Sequence, residues 1–252
     1  MSLLCVENLS VSLRGRPVFR DVSFAIGPGE VVGLIGPNGA GKTTLMRAAL
    51  GLIPAEGRSS LAALEPRARA RAAAWMPQSR EIAWPVSVET LVMLGRTPHL
   101  AAGQSPSGKD RAVVETVLER MGLAGLRARA ATRLSGGEQA RALIARALAQ
   151  DTALVLADEP IASLDPAHQI STMQTFATLA QEGRSVLVSM HDLGLAARHC
   201  TRLILLGEGR LIADGLPGEV LTAERLARVF GITAWFGQTD DGPVFQPLEV
   251  IR

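Results

Sequence analysis

The sequence predicts an α/β fold built on a parallel sheet, and three observations carry that expectation. Short, near-continuous apolar runs at Val31–Ile35, Ala153–Ala157, Ser185–Met190 and Arg202–Leu206 suit strands buried on both faces. Helical patterns at Arg111–Met121, Glu138–Ala149 and Pro166–Gln181 alternate with them, as strand–helix–strand units require. Finally, Gly36-Pro37-Asn38-Gly39-Ala40-Gly41-Lys42-Thr43 follows an apolar run and precedes a helix-like segment at Thr44–Leu52, the context in which G-x-x-x-x-G-K-[ST] has physical meaning.

The remaining elements follow in chain order. Cys5–Leu13 and Val18–Ile26 alternate in part around a turn at Arg14-Gly15-Arg16-Pro17, which predicts an N-terminal antiparallel β subdomain. Gly27-Pro28-Gly29 turns the chain into the first buried strand. Pro85–Leu134 carries no buried strand pattern; it reads as a helical insertion broken by the loop Gly103–Gly108. One domain over 1–252 is therefore expected, with 1–84 and 135–252 forming the core and about 85–134 the helical subdomain. Turn signals at Asp240-Asp241-Gly242-Pro243 predict a terminal hairpin after Gly231.

Composition narrows the function. With 47% apolar residues the 252-residue chain has ample material for a core, and a net charge of +2 makes no case for nucleic acid as a partner. Arg67, Arg69 and Arg71 alternate, so they are expected on a solvated helix surface. Cys5 and Cys200 stand far apart, outside any metal-ligand spacing, and read as reduced, buried thiols of a cytosolic protein. The N-terminus is not patterned as a signal peptide, and no uncharged apolar run is long enough to span a bilayer. Work at a membrane would need another component to hold the chain there.

The phosphate-loop residues have distinct tasks. The glycines let successive N–H groups point inward at phosphate oxygens, and the following helix start adds its positive end. Lys42 can reach the β- and γ-phosphates, and the Thr43 hydroxyl, beside Thr44, can ligate Mg²⁺. Leu154-Val155-Leu156-Ala157-Asp158-Glu159 is an apolar strand ending in two carboxylates: Asp158 suits the metal, Glu159 a general base facing the attacking water. Leu134-Ser135-Gly136-Gly137-Glu138 opens a helix and makes a second anion cradle. One nucleotide does not need two cradles in one chain, so a two-fold pair is expected in which each copy closes over its partner's nucleotide.

These three motifs, in this order, resemble the ATP-binding subunit of ABC transporters, over nearly the whole chain. The resemblance implies ATP and Mg²⁺ as cofactors, transport-coupled ATP hydrolysis and a homodimer. It implies attachment to integral membrane permease subunits at the cytoplasmic face of the membrane, with an extracytoplasmic substrate-binding protein. It adds Gln78 as a catalytic, metal-contacting glutamine that senses the permease, Asp165 in Ala162-Ser163-Leu164-Asp165 as a residue crossing the dimer interface, and His191 as the γ-phosphate switch. Ser135 and Gly137, with Gly136 and Glu138 beside them, match the signature that binds the partner's γ-phosphate. The chain departs from the family in having no tyrosine: Leu13 stands where an aromatic often stacks on adenine, with Phe19 as a substitute. Ala140, Ala157 and Ile161 are milder departures around the motifs.

Cargo is labelled more softly. Val92–His99, Leu164–Gln169, Gly209–Gly215 and Leu226–Ile232 resemble importers of ferric siderophores, haem and cobalamin. Importers of zinc, manganese or amino acids, and exporters, remain alternatives, as does an ATP-binding regulatory module. Repair-type coiled coils and a second cassette are missing from the sequence, which favours transport. His99 has no ligand-spaced His or Cys beside it and reads as a surface or helix-end residue.

Overall fold

Alternation along buried strands builds the two hydrophobic layers of this protein. The computed structural model describes residues 2–79, 82–162, 164–240 and 242–251. The central sheet contains β3 (Val31–Ile35), β5 (Ala73–Met76), β6 (Leu154–Asp158), β7 (Ser185–Ser189), β8 (Arg202–Gly207) and β9 (Arg210–Gly215), in the order β5-β6-β7-β3-β8-β9. All neighbours pair in parallel except β8 with β9. The expected parallel core is present, and β9 adds one antiparallel edge strand, because the short turn after Gly207 permits no crossover.

Val32, Leu34, Leu154, Leu156, Leu187, Ile204 and Leu206 face one layer. There they meet α1 (Lys42–Ala49) and an antiparallel sheet of β1 (Leu4–Leu13), β2 (Arg16–Ile26) and β4 (Glu56–Ser59), ordered β2-β1-β4. The residues between them, Val31, Ile35, Val155, Ala157, Val186, Val188, Leu203 and Leu205, face the other layer. That layer holds α5 (Gly136–Ala149), α6 (Pro166–Gln181) and α7 (Leu193–His199). Strands covered on both faces leave no room for polar alternation, which is why they read as continuous apolar runs.

Among the described residues, two α-helices lie between β5 and α5, joined by a 3-10 turn. The short α2 (Pro66–Ala72) precedes β5; α3 (Val88–Met93), a 3-10 turn at Leu94–His99 and α4 (Gly108–Arg120) follow it. The 3-10 turn is pinned to the C-terminal end of α5. Arg96 donates to the Ala149 carbonyl at 2.9 Å, and the His99 ring meets the Gln150 carbonyl at 2.8 Å. These contacts satisfy carbonyls that a helix end leaves without intrahelical partners. A Cβ on Gly95 would collide with the Arg146 carbonyl, so the close approach needs glycine. Arg67 and Arg71 also reach this segment: both bond the Pro98 carbonyl, and Arg67 adds Leu100. The arginine helix is thus partly a clasp rather than only a solvated face.

After β9, short helices α8 (Pro217–Val220) and α9 (Ala223–Arg225) lead to the hairpin β10 (Ile232–Thr239) and β11 (Gly242–Val250). Asp241, from the predicted turn, lies outside the described residues. Phe245 of β11 is buried as part of the second layer. Both cysteines are free; Cys200 is buried, with its thiol pushed up to about 12 by burial, whereas Cys5 is only partly covered.

The buried pair Arg96–Asp110, 2.9 Å apart, joins the 3-10 turn to the start of α4. The Ser107 hydroxyl first, then Arg96, holds the Asp110 carboxyl well below its usual 3.8. Removing one partner of a buried pair costs about 3 kcal/mol. Urea denaturation of Asp110→Asn at neutral pH is expected to show that loss. A depressed carboxylate pKa stabilises fully above the unfolded value and is lost as pH falls through the folded one. The gap between wild type and variant should therefore close progressively below about pH 4; a gap independent of pH would refute the assignment.

Candidate active site

Four adjacent strands deliver the predicted residues to one edge of the sheet. Gln78 follows β5, Asp158 and Glu159 end β6, Ser189 ends β7 with His191 just beyond, and the phosphate loop follows β3. Parallel pairing places these carboxyl ends side by side, where α/β sheets bind ligands.

The phosphate loop wraps around its own lysine. Lys42 is 6% exposed and donates to the carbonyls of Gly36 at 2.8 Å and Pro37 at 3.2 Å. Burial pushes its pKa down, while the nearby carboxylates of Glu159 and Asp158 push it back up. Gly41 caps α1 with φ 94°, and a Cβ there would come within 2.8 Å of Val18. A Cβ on Gly36 would strike the Leu206 carbonyl. No side chain caps α1, and its first turn carries no acid, so its N–H groups present an uncompensated positive end.

Glu159 is held from three directions. Its backbone is left-handed, φ 49°, and its N–H donates to the Ser189 hydroxyl at 2.8 Å. Gln78 Nε2 donates to Oε2 at 2.8 Å, and His191 Nε2 meets Oε1 at 2.5 Å. Because the carboxylate only accepts, His191 carries its proton on Nε2 in this contact. Gln78, Glu159 and His191, dispersed over the sequence, thus form one connected cluster.

Asp158 is 1% exposed. The Ser189 hydroxyl donates to its Oδ1 at 2.6 Å, while Oδ2 is buried without a hydrogen-bond partner. A buried, unpartnered carboxylate oxygen is costly unless something binds it. The Asp158 carboxylate and, on the phosphate loop, the Thr43 hydroxyl are each the kind of hard oxygen donor that Mg²⁺ prefers. Among the described residues no group of three or more His, Cys, Asp or Glu could hold a metal alone.

A cleft of about 420 Å³ gathers Asn38–Thr44, Gln78, Glu159 and His191 beside the apolar side chains of Leu13 and Val18. Phe19, the suggested aromatic substitute, is 1% exposed in the core and is unavailable to a base. Leu13, 48% exposed, and Val18 form the apolar wall instead. Gly36 and Pro37 line an adjoining cavity of about 930 Å³ that runs between α6, α7 and the hairpin. Ala140, Ala157 and Ile161 are buried, so the departures around the motifs are packing changes.

Ser135, Gly136, Gly137, Glu138 and Asp165 do not line the cleft of their own chain. Ser135 is the N-cap of α5 in a reciprocal box: Glu138 N–H donates to its hydroxyl at 3.3 Å and its own N–H donates to Glu138 at 2.7 Å. That second bond holds the Glu138 carboxyl below its usual range. Asp165 caps α6, accepting from His168 N–H at 3.0 Å and meeting the His168 ring at 2.6 Å. These bonds, the backbone N–H first, lower its pKa. Ser163 of the same predicted loop lies outside the described residues. Sequence reasoning missed Ser189; its one signal is a polar residue ending an apolar strand opposite Asp158.

The ABC transporter family pattern matches residues 19–162. The chain is 42% identical to the hemin import ATP-binding protein HmuV of Pseudomonas aeruginosa, over 91% of this chain and 93% of that protein. It is also 42% identical to the cobalamin import ATP-binding protein BtuD of Halobacterium salinarum, over 90% of this chain, but spans only 58% of that relative's length. Among solved structures, a chain of an ABC transporter described as of metal-chelate type, in an inward-facing conformation, superposes with a TM-score of 0.87 at 27% identity, covering 99% of this chain and 98% of the other. An ATP-binding subunit of an ABC transporter superposes with a TM-score of 0.76 at 27% identity, covering 91% and 94%. With the phosphate loop, the paired acids and the helix-capping Ser135–Glu138 motif all in place, the chain belongs to the ABC transporter family, in the class of its ATP-binding, ATPase subunits.

Proposed function

We propose that this chain hydrolyses ATP to power import of a metal chelate, a ferric siderophore, haem or cobalamin, through separate membrane permease subunits. The observation that carries the ATPase half is the joint grip of Gln78 and His191 on Glu159, beside the buried Asp158 and Lys42. The cargo class rests on the relatives named for hemin and cobalamin import.

In this reading Lys42 exchanges the Gly36 and Pro37 carbonyls for phosphate oxygens, assisted by the N–H groups of Asn38–Thr44. Thr43 and Asp158, with Gln78 alongside, would hold Mg²⁺, which would supply charge neutralisation for the phosphates. Glu159 accepts a proton from the attacking water as its oxygen bonds the γ-phosphorus and the bond to the β–γ bridging oxygen breaks. His191, bonded to Glu159, orients that carboxylate and faces the γ-phosphate. Ser135–Glu138 and Asp165, which stand apart from the phosphate-loop cleft of their own chain, act in a second copy's cleft, and the active unit is a homodimer.

The core and the helical subdomain at about 85–134 divide the labour. No described helix is long and apolar enough to cross a membrane. In this reading the chain works as a peripheral subunit on the cytoplasmic face, held by the permease subunits. Trp84, 74% exposed, and Leu94, 51% exposed, follow Gln78 in sequence and provide an apolar surface for the permease. A substrate-binding protein outside the membrane delivers cargo.

Glu159→Gln is expected to retain ATP binding while turnover falls about 10²–10⁴-fold. Wild-type turnover in the assembled transporter would remove Glu159 from the base role. Lys42→Ala should weaken ATP binding itself, measured by titration calorimetry; unchanged affinity would contradict the phosphate-loop role. Uptake of ferric siderophore, haem, cobalamin and zinc in cells carrying wild type or Glu159→Gln tests the cargo. Collapse for one chelate supports import of that class, whereas collapse for zinc alone, or for none, refutes it. Trp84→Ala should reduce uptake and transporter assembly with ATP affinity unchanged; full uptake would exclude Trp84 from docking.

A further inference from the structure

We propose that Ser189 is a positioning residue of the hydrolytic site, setting the metal-binding oxygen of Asp158 and the backbone of Glu159 through one hydroxyl. The proposal rests on the reading above, in which Asp158 serves the metal and Glu159 the water.

Ser189 ends β7 directly opposite Asp158 in the parallel register of β6 and β7. It is fully buried, as is the bond it makes. Its hydroxyl proton is committed to Asp158 Oδ1 at 2.6 Å, and its lone pair accepts the Glu159 N–H at 2.8 Å. One group therefore fixes two consecutive residues with different tasks. The donation to Oδ1 fixes the plane of the Asp158 carboxylate and leaves Oδ2, the buried oxygen without a partner, as the one for the cation. Partners behind a metal ligand tune affinity in this way. The accepted N–H bond secures Glu159 in a left-handed backbone, φ 49°, a conformation that a residue with a Cβ holds only under constraint. The side chain of Glu159 leaves from that fixed point toward Gln78 and His191. No other side chain among the described residues bonds both Asp158 and Glu159.

Replacing Ser189 by Ala leaves Asp158 Oδ1 and the Glu159 N–H without this partner. The effect is read in two ways. Mn²⁺ binding to the full chain with a non-hydrolysable ATP analogue, followed by electron paramagnetic resonance, reports the metal ligand without turnover. The Mg²⁺ dependence of ATPase activity in the assembled transporter reports the working site. Ser189→Ala should weaken Mn²⁺ binding and raise the half-maximal Mg²⁺ by roughly 10-fold, with a matching fall in kcat and little change in the KM for ATP. Ser189→Cys, of similar volume and a weaker donor, should lie between, and Ser189→Thr, which keeps the hydroxyl on a strand-favouring side chain, should restore both. If Ser189→Ala does not fold, the Cys and Thr pair carries the comparison. Wild-type Mn²⁺ affinity and Mg²⁺ requirement in a folded Ala or Cys variant would overturn the proposal. So would a loss of melting temperature alone. A Glu159→Gln control separates the two layers: unchanged turnover there refutes the base assignment, while the Mn²⁺ series still judges Ser189.

Discussion

Parallel register among β5, β6, β7 and β3 is the constraint on which the rest of this protein depends. Parallel strands that advance in step end at one edge, and every chemically significant loop of the cleft leaves from that edge. Asp158 meets Ser189 because β6 and β7 pair without a slip from Leu154 to Asp158. A one-residue shift would exchange the two core layers, putting Leu156 where Val155 now packs. The alternation that buries the sheet therefore also sets the geometry of the site. No separate device is needed to bring Gln78 and His191, more than a hundred residues apart in sequence, onto the same carboxylate.

The site concentrates features that are unfavourable in isolation. Lys42 is a buried cation satisfied by carbonyls of its own loop, Asp158 carries a buried oxygen with no partner, and Glu159 has a left-handed backbone. A non-glycine residue held in such a conformation costs on the order of 1 kcal/mol or more. The surrounding strands are fully buried and close-packed, which is what holds these groups in place. In the proposed site an anion would pair with Lys42 and a divalent cation with the unpartnered Asp158 oxygen, so the same arrangement that weakens the fold locally would prepare it for nucleotide.

The parts of this structure legible in sequence are those where one local signal suffices. Strands β3, β6, β7 and β8 announce themselves as apolar runs, and Pro166–Gln181 matches α6 from end to end. Strand β4, Glu-Gly-Arg-Ser, has no apolar pattern; it exists because β1 offers a free edge. Strand β5 begins at Ala73, inside an Arg/Ala run that favours helix, and its pairing with β6 overrides that propensity. The same limit governs individual residues. Glu159 and His191 could be selected by motif, but Ser189 acquires meaning only through its cross-strand neighbour. Phe19 illustrates the converse: an aromatic in the right stretch of sequence, turned into the core by strand alternation while Leu13 faces the cleft.

Helix α5 explains how a cleft in one place can be tied to surfaces elsewhere. Its N-terminus is the Ser135–Glu138 box, and its C-terminus is gripped by Arg96 and His99 of the 3-10 turn, with Gln150 reaching on to the carbonyls of Ala70 and Ala73. Arg96 is held in turn by Asp110 at the start of α4, and Gly95 allows backbone contact too close for any side chain. The N-terminal box closes the helix on itself, while the C-terminal bonds couple it to the 3-10 turn, so the two move together, because packed elements shift as bodies rather than stretch. In the proposed dimer, pressure from a permease on the exposed Trp84 and Leu94 side would pass through this pinned turn along α5 to Ser135, which faces the second copy's nucleotide. A second tie runs through the sheet: Gln78, bonded to the Glu159 carboxylate, follows β5, whose first residue Ala73 receives a bond from Gln150. In the proposed dimer, cargo-linked motion and hydrolysis would thus share two physical connections, one along α5 and one through β5 and the Gln78 hydrogen bond.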